Sequence, residues 1–293
     1  MKSFKHISIM PEEVLESFRE LGKGAVIFDG TLGKGGHSKL LLENGFSVIG
    51  VDRDAEAFAE AKKNLGKFEN IRFVNNNFAN IREILEDLKV DKVEGILIDL
   101  GISTHQLESK ERGFGFEGEL DMRMNQNQDL TAKDVVNTYA LEKLKKILQK
   151  YGEKVYYKQI AEAIVEQRED GEINTAEELV GIIESVLPEG YRRTRKHHWA
   201  TPTFRALRIE VNGDIENIES FLDVFHNYLN KGGILSVITF HSLEERAVKL
   251  RLQLLKGKKI IKILTRKGLP ASIREISVNS KAKRAKLWVA MKK

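Results

Sequence analysis

The 293-residue chain contains no cysteine. Disulfides, thiolate zinc sites and a cysteine nucleophile are therefore excluded, and the composition fits a reducing, cytoplasmic setting. No apolar run reaches the length of a membrane span; GGILSVITF at 232–240 is among the longest and reads as a strand, so no membrane partner is expected. Behind Lys2, Lys5 and His6 there is no uninterrupted apolar segment of the kind that directs secretion. The seven histidines form no HExxH or comparable cluster, and His197 and His198 are adjacent, which points side chains apart in most regular structures. No metal is expected on that pattern. No internal repeat or low-complexity segment is visible either.

What is present suits a packed fold. Hydrophobic residues make up 41% and charged residues 31%, enough apolar side chain to bury a core and too little bias for bulk disorder. The net charge of +5 is unevenly spread. From Lys249 to the end there are 15 Lys or Arg against one acid, Glu275, while the preceding part is net negative. A solvated basic surface would account for that tail alone. A second basic cluster, YRRTRKHHW at 191–199, favours a polyanionic partner, nucleic acid first among them.

Along the first hundred residues, strands and helices alternate. PEEVLESFREL begins with a proline suited to a first helical turn, and Val14, Leu15, Phe18 and Leu21 keep helical spacing. AVIF at 25–28, FSVIGVD at 46–52, IRFVNNNF and GILIDLG at 95–101 read as strands, each pair separated by one helical pattern. Continuous apolar strands joined by single helices predict a parallel sheet covered on both faces, an α/β Rossmann-like architecture. After Gly101 the rhythm breaks. From about Leu107 to Trp199 no buried strand is evident; instead Thr131 with Asp134 and Thr175 with Glu178 open capped helices, and YYKQIAEAIVEQ is helical. Strand grammar returns at GGILSVITF, after the helical DIENIESFLDVFHNYL. The expectation is a discontinuous α/β domain, 1–106 with 202–293, carrying an inserted helical domain at 107–201.

The segment FDGTLGKGGHS, 28–38, follows the first strand and packs four glycines into seven residues. It is no Walker A loop, because Gly36 and His37 stand where Lys and Ser/Thr are needed, so a nucleoside triphosphatase is disfavoured. The dinucleotide pattern is met only in part, with Ser38 in place of the last glycine. Asp29-x-Thr31-x-Gly33-x-Gly35-Gly36 instead resembles the first motif of class I S-adenosylmethionine-dependent methyltransferases. Glycines there let backbone approach a cofactor, and helix-start amides can meet its carboxylate. Asp52 ends the second strand nineteen residues past Gly33, where an acid accepts ribose hydroxyls of either NAD or S-adenosylmethionine. Phe78, after the third strand, suits an adenine flank or the core equally. Asp99 ends the fourth strand at the same carboxyl edge.

Taken in order, HISIMPEEVLESF, FDGTLGKGGHS, ILIDLGIS with Gln106-Leu107, ERGFGF, LDMRMN and ITFHSLEERAVK resemble the RsmH (MraW) family, with a weaker echo at NSKAKRAKLWVA. These are bacterial methyltransferases of small-subunit ribosomal RNA. The resemblance covers nearly the whole chain. It implies methyl transfer from S-adenosyl-L-methionine, leaving S-adenosyl-L-homocysteine, to N(4) of a cytidine in the decoding region of 16S ribosomal RNA, within the small ribosomal subunit. It further implies cofactor contacts at Gly35, Gly36, His37, Asp52, Phe78, Asp99 and Gln106, and an insert that helps to recognise substrate. Two stretches depart from the family pattern: HHWATPTFRALRI lacks its Pro-Ala-Thr-Arg run, and Asn279-Ser280-Lys281-Ala282-Lys283 replaces Asn-Pro-Arg-Ala-Arg.

The chemistry also needs an acceptor for an amine hydrogen, since a cytosine amino nitrogen shares its lone pair with the ring. Asp99 and His241, at the ends of their strands, are the candidate catalytic residues. The Asp/Asn/Ser-Pro-Pro-Tyr/Phe device of DNA amino methyltransferases is absent at Asp99-Leu100-Gly101-Ile102, so stacking falls to Phe114 or Phe116, if they are not simply packing residues. Rival readings are a nicotinamide-dependent oxidoreductase, a non-catalytic RNA-binding or assembly protein, and a methyltransferase acting on protein or small molecules.

Overall fold

The computed structural model describes residues 8–293; Lys2, Lys5, His6 and the first two residues of HISIMPEEVLESF lie outside them. The chain divides into two compact units at Gly101/Ile102 and again at Asp214/Ile215.

The first unit is built on an eight-stranded sheet. Its first half alternates strand and helix: α1 (Pro11–Ser17), β1 (Val26–Asp29), α2 (Gly36–Glu43), β2 (Ser47–Asp52), α3 (Ala55–Leu65), β3 (Ile71–Asn75), α4 (Ile81–Asp87) and β4 (Val93–Asp99). The inserted unit holds α5 (Thr104–Glu108), α6 (Ala132–Thr138), α7 (Leu141–Tyr151), α8 (Tyr157–Asp170), α9 (Ala176–Val186), α10 (Glu189–Arg193) and α11 (Thr201–Asn212). The chain then runs through α12 (Asp214–Val224), β5 (Leu229–Thr239), α13 (Ser242–Gly257), β6 (Ile261–Ile263), β7 (Leu269–Pro270), α14 (Ile273–Val278) and β8 (Lys286–Lys292).

The strand order is β3-β2-β1-β4-β5-β8-β6, with β7 also paired to β8. Strands β1 to β5 are mutually parallel, as continuous apolar runs joined by helices predict. β8 inserts antiparallel between β5 and β6, so the sheet is mixed at its C-terminal edge. Alternation along each strand feeds two cores. Leu97, Ile238 and Leu287 join Val14 of α1, Phe18 just after it, Leu41 of α2 and Leu65 of α3. Ile98 and Val237 turn the other way, toward Phe78, Phe221 and Val248. No helix among the described residues is long and apolar enough to cross a membrane.

The inserted unit is helical, and both predicted capping boxes form, Thr131 with Asp134 and Thr175 with Glu178. Its limits differ from 107–201. α11 packs on α6 and α7, and Asn212 at its end accepts the Met124 amide at 2.8 Å and donates to the Met122 carbonyl at 2.7 Å, so the unit extends to Asp214. The same LDMRMN loop is braced by Asp121 against Arg123 and by the buried Arg112 guanidinium, which donates to the carbonyls of Arg123 and Met124.

Candidate active site

The glycine loop leaves β1 and turns into α2 at the carboxyl edge of the sheet, where ligands of open α/β sheets bind. Gly35 has φ +86°, and a Cβ there would stand 2.6 Å from Leu65 Cδ1. Gly30 is as confined, since a Cβ would sit 2.6 Å from Ile98 Cδ1 and 2.7 Å from Phe78 Cβ. At Gly36 a Cβ would collide with the Ser8 hydroxyl. The bare backbone is thus set by close approach as well as by positive φ.

Two aspartates pin the turn. Asp52 accepts the Gly33 amide at 2.6 Å and the Asp54 amide at 2.8 Å, tying the loop to the end of β2. Burial pushes its carboxyl up to about 6, working against those backbone donors. Asp29, 1% exposed, accepts from the Ser38 hydroxyl at 2.7 Å and the Thr31 amide at 3.2 Å. Its carboxyl is also raised, with burial outweighing the Ser38 hydrogen bond and the charge of His37.

His37, in the first turn of α2, places Nε2 3.5 Å from Asp99 Oδ2. That spacing is an ion pair, and neither ring nitrogen completes a hydrogen bond among the described residues; nor does Asp99 Oδ1. Burial works to lower the imidazole pKa, but the Asp99 carboxylate, then Asp29 and Glu275, raise it above the ordinary value. The Asp99 amide is held by the Thr31 hydroxyl at 2.6 Å. Buried polar atoms left without partners are what a polar ligand would complete.

The remaining predicted residues have other local tasks. Phe78 opens a short 3-10 turn after β3, is 9% exposed, and packs edge-on against Phe221 at 5.5 Å between centroids. His241 caps α13: Nδ1 accepts the Glu244 amide at 3.3 Å, while Nε2 lies 2.9 Å from Glu244 Oε1. Its ring is committed to the helix start, so service as a base would require it to leave the cap. Gln106 belongs to the inserted unit, where it closes a capping box with Ser103 at the start of α5.

Four partners are not among the predicted site residues: Ser8 against Gly36, Thr31 on the Asp99 amide, Ser38 on Asp29, and Glu275, which accepts the Met10 amide at 2.6 Å. Ser38 and Thr31 lie in the glycine motif and were within reach of a reading that asked who satisfies a buried Asp29. Ser8 and Glu275 arrive from distant segments.

The model of the MraW methylase family matches residues 3–293. A Ribosomal RNA small subunit methyltransferase H from Clostridium botulinum (strain Kyoto / Type A2) is 43% identical over 99% of both chains. The protein of that name from Kosmotoga olearia is 44% identical over 97% of this chain and 96% of its own, and that from Thermosipho africanus is 43% identical over 98% and 97%. Among solved structures, an rRNA methylase from Streptococcus thermophilus covers 98% of this chain at 11% identity with a TM-score of 0.43, too distant a likeness to place any residue.

Proposed function

The chain belongs to the MraW methylase family, and from that premise we propose that it methylates small-subunit ribosomal RNA with S-adenosyl-L-methionine, at N(4) of a cytidine in the decoding region of 16S RNA, in the cytoplasm and with the small subunit as the form it meets. The observation that carries the reading is the paired set at one sheet edge: a glycine turn pinned by Asp52, and His37 with Asp99 presenting buried polar atoms that lack partners.

The residues fit the cofactor. The bare backbone at Gly35 and Gly36, at the start of α2, suits its methionine carboxylate, with the His37 imidazole, whose pKa is raised by Asp99, beside it. Asp52 has both oxygens on backbone donors and keeps further lone pairs for ribose hydroxyls. Phe78 lies under Gly30 and supports the loop from the core side. When bound, S-adenosylmethionine supplies a methyl group already activated on sulfonium.

The chain's own work is alignment, exclusion of water and care of one amine proton. Asp99 Oδ1 is the stronger of the two acceptor candidates, because its oxygen has no partner among the described residues whereas the His241 ring is engaged at both nitrogens. Held there, an amine hydrogen of the cytosine leaves nitrogen electron density free for methyl transfer. The insert and the basic segments, 191–199 and the C-terminal tail, are assigned to RNA recognition, and binding through them should weaken steeply with salt.

The test is incubation with methyl-labelled cofactor and small subunits lacking the modification, followed by nucleoside mass analysis. Label on the cytidine amine supports the reading. Label only on carbon, ribose or protein, or response to NAD in place of S-adenosylhomocysteine, overturns it; no transfer at all leaves the non-catalytic RNA-binding rival standing.

A further inference from the structure

One strip of rings in the inserted unit runs from its core out to solvent. Phe116 and His198 stack at 4.2 Å between centroids with 27° between planes, and His198 and Trp199 follow at 4.5 Å and 31°. The Arg192 guanidinium lies 5.9 Å over the Trp199 ring. Phe204 closes the far end, edge-on to Phe116 at 5.0 Å. His198 is exposed, and Phe116 and Trp199 are half-buried. Rings recruited from segments some eighty residues apart have thus been assembled into a row that stays open to solvent.

Charge and hydrogen bonding define what the row suits. Burial holds the His198 imidazole below its ordinary pKa, with Glu184 opposing, and Nδ1 accepts the Ala200 amide at 3.3 Å, so the ring offers a neutral π face. The acids nearby are already spent: Glu184 on Arg192, Glu189 on Arg193 and Glu153 on Arg195. Lys196 is exposed and forms no ion pair among the described residues. A stack of neutral rings ending in a guanidinium, with a spare ammonium beside it, matches a flat uncharged aromatic group attached to an anion. Bases on RNA are available for such stacking only where they are unpaired, on aromatic or guanidinium planes.

We propose that Trp199 and Arg192, backed by His198 and Phe116, form a stacking site for one unpaired nucleobase of RNA, with Lys196 on its phosphate. The proposal rests on the functional reading above in taking RNA as the ligand, and adds to it a position at which the insert grips single-stranded RNA by its bases.

Trp199 reports on itself. The chain has two tryptophans, and the other, Trp288, is 1% exposed with its Nε1 donating to Thr239 Oγ1 at 3.2 Å. Hexacytidylate added to the full chain should quench tryptophan emission, and the quench should vanish in Trp199→Phe. By anisotropy of a labelled hexacytidylate, Trp199→Phe should bind within about threefold of the native chain, while Trp199→Ala and Arg192→Ala should weaken binding about ten-fold or more. The thermal melt and the affinity for S-adenosylhomocysteine should be unchanged in all three, which shows both units folded. Bound hexacytidylate without quenching, Trp199→Ala binding within twofold of native, or equal quenching by an RNA duplex would each overturn the proposal. Absence of methyl transfer by the native chain would instead strike the functional reading and leave the stacking result to stand alone.

Discussion

His37 Nε2 and Asp99 Oδ2 stand 3.5 Å apart, joining the first turn of α2 to the end of β4 across the glycine loop. The pair is buried on the histidine side and partly open on the aspartate side, with side-chain exposures of 7% and 25%. The Asp99 carboxylate therefore favours the charged form of His37 against the cost of its burial.

The His37 imidazole should titrate above the ordinary value of 6.5, and Asp99→Asn should bring it down. A raised folded-state value means the native protein binds this proton more tightly than the unfolded chain. The resulting stabilisation is complete below the unfolded value and is lost as pH rises through the folded one. Histidine NMR titration reads the first effect, and denaturant melts on either side of neutrality read the second.

Asp52 should make cofactor-product binding sensitive to acid. Its carboxyl is pushed up to about 6, so below that pH the uncomplexed site becomes protonated and loses acceptor strength for ribose hydroxyls. Affinity for S-adenosylhomocysteine by calorimetry should fall as pH drops through 6. Asp52→Asn should bind at least about ten-fold more weakly at neutral pH, the scale of a hydrogen bond to a charged group, with a flatter profile through this range. For stability the sign is opposite: a carboxyl raised in the fold favours the folded state as pH falls from about 6 toward 4.

Gly35→Ala should lose stability and cofactor binding together. The φ of +86° costs an L-residue about 1–2 kcal/mol, and the new Cβ would meet Leu65 Cδ1 at 2.6 Å. Leu65→Ala in the same chain should relieve the contact but not the backbone strain. A double variant with native stability by thermal melt would contradict this account.

His241 separates capping from catalysis. Asn is a good N-cap, so His241→Asn should keep stability near native and methyl transfer within a few-fold, whereas His241→Ala should lose about 1 kcal/mol. If the Asn variant melts normally yet loses transfer a hundred-fold, the ring is the amine's proton acceptor and Asp99 is not.

Local signals in the sequence reached far into this protein. Apolar strand runs, the proline at the start of α1 and both capping boxes are set by near neighbours, so the alternating first hundred residues and three of the insert's helices, α6, α8 and α9, could be read directly. The placement of Asp52 was legible for the same reason: an acid at the end of a strand, nineteen residues from a glycine turn, comes to lie beside that turn. His241 was less so. Its motif marks it, but the task of the side chain depends on whether Glu244 or a substrate holds its nitrogens. The LDMRMN loop is similar: its spacing is distinctive, and only the fold shows Arg112 and Asn212 bracing its carbonyls.

The sequence by itself determined the α/β frame, the glycine turn with its flanking acids, and the separation of a basic C-terminal tail, because each rests on periodicity, backbone freedom or charge within a short window. Tertiary structure alone decided that β8 enters antiparallel between β5 and β6, that Glu275 reaches Met10, and that Phe116 meets His198. Those pairings join segments far apart in the chain, and their partners are selected by complementary shape and hydrogen-bond satisfaction after collapse, which no short stretch of residues encodes.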